Sequence, residues 1–360
     1  MPVRDREPGV TPLVTLVVAM RNEADHIELC LQSLERQDYP PSKLEVLVMD
    51  GASTDRSWDL ASAIVDRHPT WRLLNNPRRI QAAAWNLGIS VASGDIIGIL
   101  SGHAELGEDY VTEAVRTLDR TGAAMVGGPV RTIGTGPVET AIGAAMSSPF
   151  GVGGARHHYV EDEAETDTVF MGVSPRAIYT EHRFDETLVR NQDDELSYRL
   201  IDAGYRIVCN PAIRSRYRVR SSFSALWKQF EAYGYWKVAV LRRHPRRAKP
   251  RHLLPASVVL ALAATAPLAL VRPGIRRALL LAATPYLGAN AMFAVRHGMR
   301  SGWRSAIAHA IAVPTMHTAY GAGFVRGLAE LIGSGAHAAG TPDTSDGAGS
   351  GPADIERSRP

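Results

Sequence analysis

Three short runs of apolar and β-branched residues near the start of the chain constrain its fold more than any other feature. They are Leu13 to Met20, Leu44 to Met49 and Ile96 to Leu100. Runs without regular polar alternation are typical of strands buried on both faces, as in a parallel sheet covered by helices. Each run is therefore predicted to be an inner strand.

Helical patterns separate these runs. In the first gap, apolar residues recur at the spacing of one helix face, at Ile27, Cys30, Leu31 and Leu34. Further helices are predicted over about residues 57–67, 81–92 and 193–203, whereas the Gly- and Ala-rich residues 121–160 are predicted to form short strands and a long loop. Strands that alternate with helices indicate an α/β fold, Rossmann-like, with a mostly parallel central sheet flanked by helices.

Composition and charge restrict the class of protein to which this chain can belong. The chain has 360 residues, 45% hydrophobic and 21% charged, which is typical of a globular protein with one large domain and a smaller part, or with two domains. Its net charge of +3 is too small to indicate a nucleic-acid partner. Cys30 and Cys209 lie among apolar residues and are interpreted as buried thiols. The first residues lack an apolar segment, so no cleavable signal peptide is expected.

Long apolar segments set the last third of the chain apart. Residues 253–271 and 278–295 approach the length of about 20 residues that spans a bilayer, and residues 306–325 are a weaker candidate. Buried core helices are the alternative for each segment. The predicted organisation is a tail over 1–12, an α/β domain over 13–245, a membrane region of two to three helices over 253–327 and a disordered tail over 335–360.

Basic residues are concentrated just before the first apolar segment, between Arg242 and Arg251. Because cytoplasmic flanks of membrane helices are enriched in Lys and Arg, this stretch predicts a multi-pass inner-membrane protein whose α/β domain is cytoplasmic. The same residues could instead bind anionic lipid headgroups or form a solvated linker. The loop over 272–277 is also basic, which leaves the number of spans open.

Polar residues follow the first two predicted strands. Arg21, Asn22 and Glu23 come after the first, and Asp50 to Asp55 (Asp-Gly-Ala-Ser-Thr-Asp) end and follow the second. In an open α/β sheet, ligands bind at the carboxyl ends of strands, where an acidic side chain can accept hydrogen bonds from a base or ribose. Taken alone, these residues could equally be turn and helix-capping residues.

Together with later motifs, these residues resemble the family 2 glycosyltransferases, which have a GT-A fold, and in particular their succinoglycan-biosynthesis-like branch. Residues 50–55 resemble the family's Asp-Asp-Gly-Ser-x-Asp, with Gly51 in the second position. Residues 86–88 (Asn-Leu-Gly) before residues 92–95 (Ala-Ser-Gly-Asp) resemble the family's N-x-G … A-x-G-D segment. The resemblance covers about residues 13–245.

This resemblance implies a nucleotide-sugar donor, with Asp50 contacting the base or ribose and Glu23 supporting the same pocket. The predicted donor site also includes Ser53, Asp55, Arg79 and Gly102. Arg78 is the alternative to Arg79, since either guanidinium could approach the diphosphate.

The resemblance also implies a divalent cation, Mn²⁺ or Mg²⁺, although the corresponding motif is altered. Where the family usually carries Asp-x-Asp, this chain has Ser101, Gly102 and His103. Neutral imidazole can bind Mn²⁺ whereas Mg²⁺ prefers oxygen, so His103 is the predicted metal ligand, and Glu105 could compensate for the lost carboxylate. The alternative is a metal-free site in which His103 donates to a phosphate.

Asp193 is the predicted general base. Residues 192–195 (Gln-Asp-Asp-Glu) resemble the family's Glu-Asp pair at a helix start, with Gln192 in place of the commoner Glu. A carboxylate that takes the proton of the acceptor hydroxyl can contribute roughly 10²–10⁴-fold to the rate. Asp194 is the alternative base, and stabilisation of acidic residues by the helix dipole is the non-catalytic interpretation.

Residues 229–236 resemble the stretch that follows the catalytic domain in the same branch. Ala232 and Tyr233 stand where processive synthases carry Arg and Trp, which favours the addition of a single sugar. The aromatic residues of this stretch could equally form an interfacial belt beside the membrane.

The predicted function is an inverting transferase that moves a sugar from a nucleotide-sugar donor to a hydroxyl of a membrane-associated or lipid-linked acceptor, in cell-surface polysaccharide or glycolipid synthesis. The expected partners are the donor, a lipid-linked or glycan acceptor and the membrane. Two alternatives stay open. A nucleotidyltransferase would need a Gly-rich basic loop that residues 21–23 do not supply, and a non-catalytic membrane scaffold is favoured by Ser101 and Gln192.

Overall fold

The computed structural model describes residues 10–337. Within this range the strands are β1 (Val14–Met20), β2 (Leu44–Asp50), β3 (Trp71–Asn75), β4 (Ile96–Ser101), β5 (Ala104–Leu106), β6 (Met125–Gly128), β7 (Thr132–Ile133), β8 (Ala164–Glu165), β9 (Phe170–Pro175), β10 (Ile207–Cys209) and β11 (Ser215–Arg218). The helices are α1 (Ile27–Glu35), α2 (Ser57–Val65), α3 (Gln81–Val91), α4 (Tyr110–Thr121), α5 (Pro137–Met146), α6 (Pro149–Val152), α7 (Arg176–Glu181), α8 (Gln192–Asp202), α9 (Phe223–Arg243), α10 (Pro250–Val271), α11 (Pro273–Ser301) and α12 (Trp303–His337).

The central sheet has the strand order β3-β2-β1-β4-β9-β6-β10-β8. Its first four strands are parallel, β9 runs antiparallel between β4 and β6, and β8 closes the far edge antiparallel to β10. A small second sheet, in the order β5-β11-β7, lies beside it. The alternation of strands and helices in the first hundred residues is therefore the crossover architecture that the sequence predicted.

The apolar runs contain no polar alternation because both faces of the central sheet are covered. Successive residues of β1 belong to opposite clusters of the core: Leu16 and Val18 pack with α1, α2 and α4, whereas Val17 packs with α3. The predicted buried thiols, Cys30 and Cys209, are both buried and free, and burial raises the pKa of each to about 12.

One prediction about secondary structure is wrong. Residues 121–160 contain the helix α5, the short helix α6 and a 3₁₀ turn in addition to β6 and β7. The small residues of α5 give weak sequence contrast, but its buried side chains, Ile142 and Met146 among them, pack against β11, α9 and α12. Contacts with elements far away in the chain therefore stabilise a helix that local sequence indicates only weakly.

The C-terminal helices divide into two kinds. Within residues 10–337, α10 and α11 are long and apolar enough to cross a membrane, and nearly all of their surface lies outside the protein core. The third candidate segment forms α12, which packs along α9 and α5 instead. A Cβ atom on Gly323 of α12 would lie 1.9 Å from the Glu231 carbonyl oxygen of α9, so α12 and α9 touch backbone to backbone.

The predicted terminal tails fall mostly outside the described residues. The N-terminal tail over 1–12 is described only from residue 10, and the predicted disordered tail over 335–360 is described only as far as residue 337. Residues 335–337 belong to α12, so this helix extends slightly beyond the predicted start of the tail.

Candidate active site

The carboxyl ends of the parallel strands meet at one edge of the sheet. In the strand register Met20 of β1 pairs with Asp50 of β2, and Ala19 pairs with Ser101 of β4. The loops that follow these strands, residues 21–24, 51–57 and 102–103, therefore lie side by side. This donor edge, as we call these three loops together with Asp50 at the end of β2, contains the residues predicted to bind the nucleotide sugar, except Arg79.

Hydrogen bonds within the donor edge tie its first two loops together. The Asn22 backbone N–H donates to Ser53 Oγ at 2.9 Å, and the Thr54 N–H donates back to Asn22 Oδ1 at 2.8 Å. Asn22 adopts φ 54° and Ala52 φ 56°, a left-handed conformation that is unusual for residues with a Cβ. Such backbone strain persists only where surrounding contacts enforce it, and it occurs preferentially at functional sites.

The Asp55 carboxylate is hydrogen-bonded to other residues of these loops. Its carboxylate accepts hydrogen bonds from the Ser57 N–H and hydroxyl at 3.0 and 2.5 Å and from the Ala24 N–H at 3.2 Å. Although loss of hydration opposes it, these hydrogen bonds lower the pKa of Asp55 below its ordinary value. In this arrangement Asp55 orders the turn that joins the two loops.

Asp50 lies at the end of β2 and is only 3% exposed. It accepts hydrogen bonds from the Ser53 hydroxyl at 2.5 Å and from the Ser53 N–H at 3.1 Å. Since Ser53 Oγ also accepts from Asn22, the serine connects the ends of both strands. Asp50 and Ser53 thus form one hydrogen-bonded unit at the centre of the donor edge.

Glu23 and His103 form a second unit. The Glu23 carboxylate lies 2.9 Å from His103 Nδ1, and the Tyr217 ring meets the imidazole edge-on at 5.6 Å between ring centres. A carboxylate that holds one imidazole nitrogen fixes the ring orientation and leaves the other nitrogen, Nε2, for a ligand. This is the arrangement that a metal-binding or phosphate-binding histidine needs.

The protein alone supplies few ligands for a cation. Within residues 10–337 no three or more His, Cys, Asp and Glu side chains are grouped closely enough to hold a metal ion. Glu105, the predicted substitute for the lost carboxylate, forms an ion pair with Arg218 at 3.1 Å. A divalent cation at His103 would therefore need the oxygen atoms of a diphosphate to complete its coordination, as is common for Mg²⁺ and Mn²⁺ sites on nucleotides.

Gly102, Arg78 and Arg79, the remaining candidates for the donor site, have different environments. Gly102 is buried against β1, where a Cβ atom would lie 3.0 Å from Met20 Cβ, so a larger residue would crowd this strand. Arg78 forms an ion pair with Glu186. Arg79 is exposed, has φ 62° and has no ion pair among the described residues, so of the two arginines it is the one with a free guanidinium.

Asp193 lies in the first turn of α8. This helix begins directly after Asn191, which has φ 60°. The Asp193 side chain is exposed to solvent on the cavity that it lines, although neighbouring protein atoms displace part of its hydration. Loss of hydration raises the pKa of Asp193, and the negative charge of Asp194 raises it further. A carboxylate with a raised pKa is a stronger base than an ordinary surface aspartate.

Asp194 has a different environment. Its carboxylate is bonded to the ammonium group of Lys237, a residue of α9 whose side chain is only 6% exposed. Despite burial, this cation holds the pKa of Asp194 below its ordinary value. The ion pair engages Asp194 and leaves Asp193 as the carboxylate that faces the cavity without a cationic partner among the described residues.

Gln81, a residue that the sequence analysis missed, connects Ser101 and Gln192, two of the positions at which the chain departs from the family pattern. Its side-chain amide donates to Ser101 Oγ at 2.9 Å and accepts from the Gln192 amide at 2.7 Å. A neutral network thus replaces the two carboxylates that the family usually carries there. No sequence signal marks Gln81, because its partners are 20 and 111 residues away.

A cavity of about 1160 Å³ joins several of these groups. Ser101, His103, Asp193 and Asp194 line it, together with Gln81 and Lys237. The predicted donor residues Glu23, Asp50, Ser53, Asp55, Arg79 and Gly102 do not line it, although Glu23 touches it through His103. The predicted base and the altered metal motif therefore line one cavity, whereas Asp50 is not among its lining residues.

Aromatic residues of α9 also face this cavity. Gln229 donates from its side-chain amide to the hydroxyl groups of Tyr217 and Tyr233, both at 2.9 Å, and all three residues line the cavity. Of the two interpretations of residues 229–236, this placement favours a role beside the site for Tyr233 over an interfacial belt.

Comparison with known proteins identifies relatives. The family model of glycosyl transferase family 2 matches residues 15–179. The succinoglycan biosynthesis protein ExoA of Rhizobium meliloti is 30% identical over 88% of this chain and 95% of its own length. The dolichyl N-acetyl-α-D-glucosaminyl phosphate 3-β-D-2,3-diacetamido-2,3-dideoxy-β-D-glucuronosyltransferase of Methanococcus voltae is 29% identical over 64% of this chain and 74% of its own length.

A solved structure shares the fold. The mannosyltransferase PcManGT of Pyrobaculum calidifontis, in complex with GDP-Man and Mn²⁺, superposes with a TM-score of 0.63 at 22% identity, over 92% of this chain and 90% of that one. The GT-A architecture predicted from the sequence is therefore confirmed.

Proposed function

Since the chain belongs to the family 2 glycosyltransferases, we propose that it moves a sugar from a nucleotide-sugar donor to a hydroxyl of a membrane-associated, lipid-linked acceptor. One relative supports the acceptor class by its name, a transferase acting on a dolichyl phosphate sugar, and another is named as a succinoglycan biosynthesis protein. The apolar helices α10 and α11 favour an acceptor that resides in the bilayer.

The observation that carries this proposal is the position of Asp193 on the same cavity wall as Ser101 and His103. The acceptor hydroxyl would enter this cavity and lose its proton to Asp193 as its oxygen attacks the anomeric carbon. The bond from that carbon to the nucleoside diphosphate breaks on the opposite face, so the configuration inverts. Asp194 would hold Lys237 in place and does not act as the base.

The donor would bind at the donor edge, with its nucleoside against the unit of Asp50 and Ser53 and its diphosphate toward His103. In this arrangement His103, oriented by Glu23, would help to hold a divalent cation at the diphosphate through its Nε2 atom. Such a cation neutralises the charge on the leaving diphosphate. Arg79 is the residue that could reach the same phosphates from the loop after β3.

The cation can be tested without an activity assay. We expect UDP or GDP to raise the melting temperature of the purified protein, and to raise it further when Mn²⁺ is present. In His103→Ala the additional increase with Mn²⁺ should disappear while the increase with the nucleotide alone remains. An unchanged Mn²⁺ effect in this variant would instead support the metal-free role of His103.

We propose that α10 and α11 span the inner membrane and that the domain over residues 13–245 faces the cytoplasm. The basic residues Arg242 to Arg251, which precede α10, support this orientation. Protease accessibility of the α/β domain in sealed, inside-out vesicles would test it, and protection of the domain in such vesicles would contradict it.

The decisive experiment on function compares Asp193→Asn with wild type. Sugar transfer from a radiolabelled nucleotide sugar to membrane lipid should fall by roughly 10²–10⁴-fold, because the variant cannot take the acceptor proton. Asp59→Asn, which changes an exposed carboxylate of α2, is the matched control and should retain full activity. Full activity of Asp193→Asn would remove this residue from the mechanism. Absence of transfer by folded wild-type protein, across donors, would favour the scaffold alternative.

A further inference from the structure

Three cations line the same cavity as His103 and have no ion pair or hydrogen bond within residues 10–337. They belong to three different elements, the loop before α8, the loop after β11 and helix α9, and are Arg190, Arg220 and Lys228. All three residues are exposed. Because like charges that converge on one surface repel one another, their arrangement favours an anionic ligand in the cavity.

The positive charge remains in excess when the carboxylates of this wall are counted. Lys237 is paired with Asp194, and Arg251 is paired with a carboxylate that does not line the cavity. Among the described residues that line the cavity, Asp193 is then the one unpaired carboxylate, against three unpaired cations. Glu23, which does not line the cavity, adds one further negative charge next to it, and an excess still remains.

Two tyrosine hydroxyls of the same wall are free to donate. Tyr217 and Tyr233 each accept a hydrogen bond from the side-chain amide of Gln229 at 2.9 Å, so the proton of each hydroxyl is left for another acceptor. The part of the chain that the structure describes supplies no such acceptor. The Tyr217 ring also meets the His103 imidazole edge-on. The cavity therefore offers two oriented O–H donors, one of them on a tyrosine in contact with the histidine.

The remaining polar atom of this group is an acceptor. Gln229 Oε1 is buried and has no hydrogen-bond partner among the described residues. Since buried polar atoms are nearly always hydrogen-bonded, it indicates a ligand that carries a hydroxyl group. Arg190 is an electrostatic neighbour of Tyr233, Lys228 directly precedes Gln229 in α9, and Arg220 follows the end of β11. The cations and the hydroxyls therefore belong to one part of the cavity.

We propose that the two tyrosine hydroxyls and the three cations bind the diphosphate of the nucleotide-sugar donor, and that Gln229 Oε1 accepts from a hydroxyl of its sugar. The tyrosine–cation cluster, as we call this group, consists of Tyr217, Tyr233, Arg190, Arg220 and Lys228. This inference rests on the proposed function, because it assigns further residues to the donor of the same site.

The cluster has a defined task in the transfer step. The acceptor oxygen forms a bond to the anomeric carbon and gives its proton to Asp193. The bond from that carbon to the diphosphate breaks, and its electron pair goes to the oxygen of the β-phosphate. Cations and O–H donors that already surround this oxygen stabilise the charge as it develops.

The cluster also compensates for the altered motif. Where the family usually carries two carboxylates that hold a cation, this chain has Ser101 and His103. The donors of the cluster contact the diphosphate directly, and hydrogen bonds from charged donors to phosphate are among the stronger ones in proteins. A nucleoside diphosphate should therefore bind even when no divalent cation is present.

The test measures equilibrium binding to the purified full-length protein in detergent, with EDTA present. The probes are UDP, UMP, uridine and inorganic pyrophosphate, with the guanosine series in parallel. We expect UDP or GDP to bind about tenfold or more tightly than its nucleoside, with much of the gain arising from the second phosphate. Equal binding of the diphosphate and the nucleoside would overturn the proposal, because the cavity would then not recognise the diphosphate charge.

Variants separate the diphosphate contacts from the fold. Arg220→Gln should weaken binding of the nucleoside diphosphate about tenfold, with partial recovery in Arg220→Lys and no change for the nucleoside. It removes no ion pair, so its melting temperature without ligand should not fall. Tyr233→Phe should weaken binding about three- to tenfold, while the Gln229 amide keeps Tyr217 as a partner. Arg216→Gln is the matched control, since Arg216 is an exposed arginine of β11 that does not line the cavity.

Two results of the variants would overturn the proposal. One is wild-type affinity for the nucleoside diphosphate in both Arg220→Gln and Tyr233→Phe. The other is an equal loss for the nucleoside, because the variants would then act on the base and ribose and not on the diphosphate.

Pyrophosphate distinguishes this inference from the proposed function. If pyrophosphate binds in EDTA and Arg220→Gln loses it, but no nucleotide binds with or without Mn²⁺, the anion site stands and the proposed function fails. If nucleotides bind and Asp193→Asn loses transfer, but Arg220→Gln binds nucleotides as wild type does, only the assignment of the cluster fails.

Discussion

The donor edge and the base side of the cavity are built in different ways. We use the term base side for Asp193, Asp194, Lys237 and Arg251. At the donor edge, the side-chain oxygens of Asp50 and Asn22 accept hydrogen bonds from hydroxyl and backbone donors within two adjacent loops, without an ion pair between them. On the base side, a partly buried ion pair joins helices α8 and α9, and a second one joins α10 to Asp167.

This difference has a physical consequence. A hydroxyl or backbone hydrogen bond contributes only about 0.5–1.5 kcal/mol, so any one bond of the donor edge is replaceable. Breaking a buried ion pair leaves an uncompensated charge and costs roughly 3–5 kcal/mol. The donor edge should therefore tolerate single changes that the base side does not.

The largest expected effect is that of Lys237→Met, which leaves the Asp194 carboxylate without its cation. Because Asp194 keeps some contact with water in the cavity, we expect the lower end of that range, a loss of about 3 kcal/mol in the free energy of unfolding. The measurement is denaturant or thermal unfolding of the purified protein in detergent.

Two further variants sharpen this comparison. Ser53→Ala, which removes the hydroxyl donor to Asp50, should cost about 1 kcal/mol. The double variant Lys237→Met with Asp194→Asn should recover part of the lost stability, because the unpaired charge is gone. If Lys237→Met costs no more than Ser53→Ala, the proposed contrast between the two regions is wrong.

An intermediate effect is expected where the two regions meet, at Gln81. With Ser101→Asp alone, the Gln81 amide N–H can donate to the new carboxylate. With Gln192→Glu alone, the Gln81 amide can turn over, donate to Glu and accept from the Ser101 hydroxyl. With both changes, its carbonyl oxygen must face one carboxylate, so the double variant should be less stable than the sum of the singles by about 1–2 kcal/mol.

The coupling between residues 101 and 192 follows directly from the unfolding free energies of wild type, the two single variants and the double variant. Gln192→Glu combined with Asp59→Asn, which lies outside the network, is the control pair and should be additive within about 0.5 kcal/mol. Additivity of Ser101→Asp and Gln192→Glu would show that Gln81 does not couple the two positions.

The smallest expected effect is a shift in pH dependence. Asp193 acts as a base only when ionised, so activity is present above its pKa and is lost as the pH falls through it. Burial and the Asp194 charge raise the pKa of Asp193 above the ordinary value of 3.8. Asp194→Asn removes that charge, so the acidic limb of the kcat/KM profile should move to lower pH. A limb that stays in place, with Asp59→Asn as control, would argue against Asp193 as the titrating base.

Much of the fold could be predicted because its signals are local. The three apolar runs became β1, β2 and β4, and the stripe from Ile27 to Leu34 became α1. Residues that follow parallel strands must meet at one edge of the sheet, so the proximity of Asp50 and Glu23 also followed from their spacing. Family motifs added the GT-A architecture, which the solved neighbour confirms.

The rest depended on contacts between residues that are far apart in the chain. Gln81 bridges Ser101 and Gln192, Lys237 reaches Asp194 from a helix 43 residues later, and α5 is stabilised by α12. No periodic pattern in the sequence marks these contacts, since each of the residues is of a type that is common in its own helix or strand. For the same reason the sequence did not show that the carboxylates of Glu105 and Asp55 have partners within the fold.

The sequence by itself determined the alternation of strands and helices, the polar residues at the strand ends and the two apolar helices. These are consequences of hydrophobic periodicity and of chain connectivity, which act over a few turns or strands. Only the tertiary structure decided which of two adjacent carboxylates is free, which arginine is unpaired and which residues line the cavity. Those outcomes depend on burial and charge pairing, which exist only after distant helices have packed together.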